Sequence, residues 1–331
     1  MPTTIAGATL DHVAVAVERW PDAWPRYAVD LGGTWTSGGL NVGFGPAQLR
    51  YANGGRVEVL QPWQAEDNPF LRRFLDRHGP GPHHMTFKVP DLAGALGQAE
   101  DAGFSPVNVD LTNPDWMEAF LHPKQATGIV VQLAQAAYAW ESPAPEGFPT
   151  ERRQPPASLV RATHAVADLQ SGLALFEGLL DGRVRARGTA PDGTWEFADL
   201  EWPTPPVLRL VAPIRVAPPS ESGDTPLRAW LGTLPGRLHH LAFEAAFEPA
   251  FEPAVQPAVE QPPRRGDGVP RQDDGSDTAH RGAGGTGTVT AGPVPGVLPA
   301  DGPCDVIEPE DNLGTRLVLF GSPDDHTDSG A

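Results

Sequence analysis

Apolar and polar residues alternate along His84-Met85-Thr86-Phe87-Lys88-Val89, so Met85, Phe87 and Val89 share one side and His84, Thr86 and Lys88 the other. A period of two predicts a strand with one apolar face. Just upstream, Pro69 to His78 carries its apolar residues at helical spacing and predicts a helix. The same pair is written again later. Thr225 to Leu231 reads as a helix and leads, over nearly the same distance, into Leu238-His239-His240-Leu241-Ala242-Phe243. A repeated helix, glycine and His-His strand predicts an internal duplication.

The remaining pattern fits that duplication. Leu10 to Val17 alternates as a strand, and Asp22 to Leu31 reads as a helix closed by Gly32-Gly33. Leu40 to Tyr51 and Arg56 to Leu60 read as strands joined by the turn Asn53-Gly54-Gly55. These are read as a β-α-β-β-β unit, with three of its four strands visible in the pattern. A second unit starts at His83, with a helix over Leu92 to Ala102 and strands over Trp116 to Leu121 and Ile129 to Leu133. One domain therefore spans 1–138. A linker follows over 139–157, rich in Pro, Glu and Arg between Pro143 and Pro156. The second domain, 158–322, restarts the pattern: Ala162-Thr163-His164-Ala165-Val166 echoes Leu10-Asp11-His12-Val13-Ala14, and Leu208 to Pro213 echoes Val57 to Pro62. Residues from about 257 to 293 hold almost no large apolar side chain and predict a disordered insertion, and the tail 323–331 is acidic. The fold class expected is α+β, in tandem domains.

Composition narrows the function classes. The chain has 331 residues and a formal net charge of -18, a field that repels nucleic acid and anionic lipid. No apolar run is long enough to cross a membrane, and the N-terminus shows neither a basic n-region nor an apolar h-region. With Cys304 the one cysteine, no internal disulfide can form, and a cytoplasmic location is expected.

Four polar residues stand on strands of the first domain: His12, Glu58, His84 and Gln132. If the two units pair, the four converge inside one curved sheet. Two imidazoles, a carboxylate and an amide oxygen suit one divalent metal, with Zn²⁺, Ni²⁺, Co²⁺, Mn²⁺ and Fe²⁺ not distinguished. A strand histidine taken alone is more often a hydrogen-bonded core or surface residue, so the set carries the reading rather than any member. His83 and His84 are adjacent and should face opposite sides, leaving one of them to serve. Trp63, Trp116 and Phe120 fall near the expected mouth of the cup, where they would face an apolar part of a substrate or pack as core.

These motifs, Leu10-Asp11-His12-Val13-Ala14, Val57-Glu58-Val59-Leu60-Gln61-Pro62, Gly81-Pro82-His83-His84-Met85, Leu121-His122-Pro123-Lys124 and Gly128-Ile129-Val130-Val131-Gln132-Leu133, resemble the vicinal oxygen chelate superfamily. The likeness is nearest to its methylmalonyl-CoA epimerase and glyoxalase members. It covers Leu10 to Gln135 throughout and Ala162 to Phe320 more weakly. The resemblance implies two paired βαβββ units per domain forming a curved mixed-sheet cup. It implies His12, Glu58, His84 and Gln132 as metal ligands, and a metal that stabilises an enolate. The chain departs from the epimerase pattern: Gln132 stands where that enzyme has a glutamate base, and Asn41 to Gly43 holds no acid where its second base should fall. A neutral amide does not take up a proton at working pH, which argues against two-base epimerisation and leaves Glu58 as the catalytic carboxylate. Extradiol dioxygenases of the superfamily also place their carboxylate at the position of Gln132.

The second domain keeps His164 and His240 but has Arg209 in place of Glu58 and Val318 in place of Gln132, so it reads as a degenerate pseudo-site. The function expected is a metal-dependent isomerase or lyase acting on a small carbonyl or acyl substrate. The alternatives are a non-catalytic small-molecule-binding protein of the bleomycin-resistance type and a non-haem iron dioxygenase. The chain should act as a monomeric pseudo-dimer or as a homodimer.

Overall fold

The computed structural model describes residues 3–214, 225–245 and 294–321. The first half contains β1 (Thr9–Ala16), α1 (Trp20–Ala23) continuing as a π-helical stretch (Trp24–Asp30), β2 (Thr34–Gly38), β3 (Gly43–Arg50) and β4 (Arg56–Trp63). Helix α2 (Phe70–His78) then leads to β5 (Gly81–Lys88), α3 (Leu92–Asp101), β6 (Val107–Asp110), β7 (Trp116–Leu121) and β8 (Val130–Ala136). The eight strands form one mixed sheet in the order β2-β3-β4-β1-β5-β8-β7-β6. It is two β-α-β-β-β units joined edge to edge, with β1 and β5 antiparallel at the seam and each parallel to the last strand of its own unit.

The second half repeats the plan with β9 (Ser158–Val166), α4 (Leu169–Leu173) and its π-helical continuation (Ala174–Leu179), β10 (Arg183–Thr189), β11 (Trp195–Glu201) and β12 (Val207–Pro213). Next come α5 (Pro226–Leu231), β13 (Gly236–Ala245), β14 (Cys304–Ile307) and β15 (Leu317–Gly321). The order of this sheet is β10-β11-β12-β9-β13-β15-β14. The fold is therefore α+β, in tandem open mixed sheets. The insertion expected over 257–293 and the acidic tail lie outside the described residues. No helix among the described residues is long and apolar enough to cross a membrane.

Two strands were not evident in the sequence pattern. Every residue of β2 is half-buried and every residue of β6 is exposed, so neither presents the alternation that marks a strand with one buried face. Elsewhere alternation sorts the two faces as expected. Val13, Val15, Val57, Val59, Met85, Phe87, Val131 and Leu133 all join the large core beneath the sheet. The intervening residues His12, Glu58, His84, Thr86 and Gln132 face the other way and are buried polar groups. Helix α2 packs Leu71 and Leu75 on Ala14, Ala16 and Leu60 and closes one end of that polar face.

The large core runs without a break from the first sheet into the second, with Phe87 against Phe176 and Trp202, and Tyr51 against Phe243. Paired glycines let the two halves touch. A Cβ on Gly128 would collide with Gly236, and one on Gly314 would collide with Pro80 beside Gly81. Gly128 and Gly314 occupy corresponding turns before β8 and β15 and both have positive φ, a second reason for glycine there.

Candidate metal centre

Ligand atoms of His12, Glu58 and His84 lie within 4.8 Å of one another, and all three residues are buried. They come from β1, β4 and β5, three neighbours at the middle of the sheet. Glu58 Oε2 is 3.5 Å from His12 Nε2 and 3.6 Å from His84 Nε2. Two donors that each bind an ion at about 2.1 Å stand about 3.0–3.4 Å apart, close to the two spacings from Glu58 to the imidazoles.

Each histidine is aimed by the residue before it. The β1–β5 ladder skips Asp11, since Leu10 faces Phe87 and His12 faces Thr86. It also skips His83, since Ala14 faces His84 and Val15 faces Pro82. Both skipped residues are β-bulges, which turn a side chain that strict alternation would send to the other face. Asp11 Oδ2 accepts from His12 Nδ1 at 2.8 Å, and the Nδ1 atoms of His83 and His84 are 2.9 Å apart. The expectation that His83 faces away from His84 is therefore corrected: His83 shares the cup side as an orienting partner, packed against Phe70 and Phe74. With a hydrogen on His84 Nδ1 donated to His83, His84 Nε2 is left as a bare lone pair, and that buried atom has no hydrogen-bond partner. Fixing Nδ1 so that Nε2 faces inward is how a protein prepares an imidazole for a metal.

The electrostatics divide the two imidazoles. Burial opposes charge on His12, but Glu58 and Asp11 outweigh it and lift the imidazole to about 9. Burial likewise opposes ionisation of Glu58, yet His12 and His84 hold its carboxyl down at about 2. His84 is pushed well below the usual histidine range, chiefly by burial and then by His83, and stays neutral. Glu58 is thus a buried carboxylate among imidazoles, with Gln48 Nε2 at 3.5 Å from its Oε1.

Gln132 sits beside this triangle but is held by others. Thr86 Oγ1 donates to Gln132 Oε1 at 2.5 Å, and Gln132 Nε2 donates to Glu118 Oε2 at 2.7 Å. Thr86 Oγ1 is also 2.9 Å from His12 Nε2, so the hydroxyl lies between Gln132 and the histidine. To bind an ion, the amide oxygen would have to exchange its Thr86 partner.

Glu118 escaped the sequence reading, although Trp116, Glu118 and Phe120 alternate on a strand and Phe120 pairs directly with Gln132. Its Oε2 also accepts from Trp116 Nε1 at 2.8 Å. Lys88 was the other omission, on the His84-Thr86-Lys88 face. Its Nζ lies 3.5 Å from the centroid of the Trp116 ring, and burial lowers its ammonium to about 8 against the pull of Asp11, Glu58 and Glu118. Of the aromatic residues expected at the mouth, Trp116 and Phe120 are half-buried on the Gln132 face, while Trp63 ends β4 and is exposed.

The second pseudo-site is not the trio expected. In the ladder Arg209 faces Thr163 as Glu58 faces Ala14, and His240 faces Thr163 as His84 faces Ala14. By that register Thr163 corresponds to Ala14, Arg161 to His12 and His164 to Val15. His164 therefore points away from Arg209 and His240. It lies against Phe176, and its Nε2 donates to the Thr127 carbonyl of the first half at 2.9 Å. The similar wording around the two histidines hid a three-residue offset.

The family model of the glyoxalase/bleomycin resistance protein/dioxygenase superfamily matches residues 11–120. No curated protein matches the chain. Among solved structures, methylmalonyl-CoA epimerase from Mycobacterium tuberculosis is 25% identical over 39% of this chain and 89% of its own, with a TM-score of 0.36. A hypothetical protein from Bacillus halodurans C-125 is 23% identical over 41% of this chain and 99% of its own, with a TM-score of 0.37. A triple mutant of 4-hydroxymandelate synthase from Streptomyces coelicolor aligns over 75% of this chain and 72% of its own, with a TM-score of 0.53 at 18% identity, a likeness of fold that spans both sheets. With its paired β-α-β-β-β units, this chain carries a domain of the glyoxalase/bleomycin resistance protein/dioxygenase superfamily, the vicinal oxygen chelate proteins.

Proposed function

We propose that the first cup is a divalent-metal site and that the protein is an isomerase or lyase acting on a small carbonyl or acyl substrate. The observation that carries this is the His12, Glu58 and His84 triangle, with both histidines steered through Nδ1 and the buried Nε2 of His84 left without a partner. Two imidazole nitrogens and one carboxylate oxygen suit Zn²⁺, Ni²⁺, Co²⁺, Mn²⁺ or Fe²⁺, and binding would displace the proton that Glu58 and Asp11 hold on His12. Such an ion supplies Lewis-acid polarisation of a carbonyl, which favours loss of a proton from the neighbouring carbon.

Glu118 is a better proton acceptor than Glu58 in this reading. Glu58 is committed to two imidazoles. Glu118 has its Oε2 held by Trp116 and Gln132, which orients Oε1 as the oxygen to take the proton. Gln132 then positions this base. Lys88 offers a cation on the same face for an anionic group of the substrate.

Elemental analysis of protein purified without chelator tests the site, with about one divalent ion per chain expected and none in a His12→Ala/His84→Ala variant. The chemistry is tested by deuterium uptake from heavy water at the carbon next to the carbonyl of 2-oxoaldehydes and acyl thioesters. Uptake should fall about 10²–10⁴-fold in Glu118→Gln with the metal retained. A metal-loaded protein that exchanges none of these substrates sinks the enzymatic reading. Small-molecule sequestration then becomes the better account, a reading favoured by the neutral Gln132 at the last-strand position.

A further inference from the structure

The second cup repeats the geometry of the first with its charge reversed. Where the first has His12, Glu58, His84 and Gln132, the register places Arg161, Arg209, His240 and Val318. Even the bulges recur: the β9–β13 ladder skips Val160 and His239, the counterparts of Asp11 and His83. The Nδ1 atoms of His239 and His240 are 2.9 Å apart, as in the first cup. Two guanidinium groups in place of an imidazole and a carboxylate cannot hold a cation. They are suited to a carboxylate, which matches the planar fork of arginine.

A carboxylate is there, and the chain provides it. Asp301 receives two bonds from Arg161, Nη1 to Oδ2 and Nη2 to Oδ1, each 2.8 Å. Arg209 Nη1 donates to Oδ2 at 2.7 Å, and the backbone N–H of Leu298 donates to the same oxygen at 2.8 Å. Arg209 is balanced on its other edge by Asp199, through bonds of 2.6 and 2.8 Å. Asp199 faces Arg209 across the β11–β12 ladder, as Gln48 faces Glu58 in the first sheet. Two arginines and two aspartates cancel, and without Asp301 the buried cluster would carry one uncompensated positive charge.

The segment around Asp301 is seated in the cup. Val294 and Val297 pack on the cluster containing Val318 and Val306. Arg209 Nη1 donates to the Gly296 carbonyl oxygen at 2.9 Å, and a Cβ on Gly296 would strike Thr163 and crowd His240. A cavity of about 640 Å³ lined by Arg161, Asp301, Arg185, Glu201, Trp202 and Phe320, among others, opens directly onto the Arg161–Asp301 pair.

We propose that the second cup is a carboxylate-binding site whose resident ligand is the side chain of Asp301, and that a small free carboxylate takes that place when the side chain is removed. The site is independent of the metal reading of the first cup. It makes the second domain a self-liganded partner, with its anion site filled from within the chain.

The test is chemical rescue of full-length Asp301→Ala, followed by thermal unfolding in sodium formate against sodium chloride at equal ionic strength. Formate should raise the midpoint of Asp301→Ala by several degrees and saturably, leave wild type unmoved, and lose its effect in Arg161→Met/Asp301→Ala. An equal response in wild type and Asp301→Ala, or an undiminished one in the double variant, overturns the proposal. If Asp301→Ala does not fold in chloride, refolding yield is read in the two salts. A formate-dependent yield supports the site, and equal yields overturn it.

Discussion

The two cups share strand order, ladder register and bulge positions, yet one is lined for a cation and the other for an anion. In the first, Glu58 is a buried carboxylate between two imidazoles. In the second, Arg209 takes the corresponding place and is sandwiched between Asp199 and Asp301. Backbone geometry is therefore neutral as to chemistry. The bulge that brings His83 to His84 also brings His239 to His240, but His84 beside Glu58 and His12 is a candidate ligand, while His240 is kept neutral by burial and then by His239, Arg161, Arg316 and Arg209. Under the two proposals, the ion a cup takes turns on two positions of its paired parallel strands, 12 and 58 in one half and 161 and 209 in the other.

The largest break in this comparison should come from placing an arginine of the second cup into the first. Glu58→Arg is expected to abolish metal binding, read by elemental analysis, because one negative charge at the centre becomes positive. In the second cup, Arg209→Ala leaves Asp199 buried without its cation and should cost about 3–5 kcal/mol, read by denaturant unfolding, with metal content unchanged. A loss of metal in that variant would mean that the halves are coupled more tightly than their separate cups suggest. The orienting histidines give the finest distinction. His83→Ala should weaken metal affinity about 10–100-fold by competition with a chelating dye, while His239→Ala leaves it unchanged. Equal effects of the two would show that the bulged histidine serves packing in both halves and orientation in neither.

Side-chain direction was legible from alternation wherever a strand buries one face. Glu58 and Gln132 could be placed because each lies between two residues bound for the core, and His12 and His84 because Val13 and Met85 follow them. Thr86 and Lys88 were on the page in the same way, as alternate members of the His84 face, and Glu118 stood between Trp116 and Phe120. The bulges were not legible. One extra residue in a strand reverses the side on which it points, and nothing in the composition of Asp11 or His83 announces it. The likeness of Asp11-His12-Val13 to Thr163-His164-Ala165 misaligned the second site for a related reason: identity of residue type carried more weight than the ladder, which pairs Arg209 with Thr163.

What the sequence determined by itself was the duplication, the order of elements in each unit apart from β2 and β6, and the polar side of each central strand, since these follow from local periodicity and turn chemistry. Tertiary structure alone decided which polar groups meet. Arg161 and Asp301 are 140 residues apart in the chain and 2.8 Å apart in space. Burial makes that meeting consequential. Away from water a guanidinium must find a carboxylate and an imidazole must find a partner for each nitrogen, and only the folded chain shows that Asp301 satisfies the first while His84 Nε2 still lacks the second.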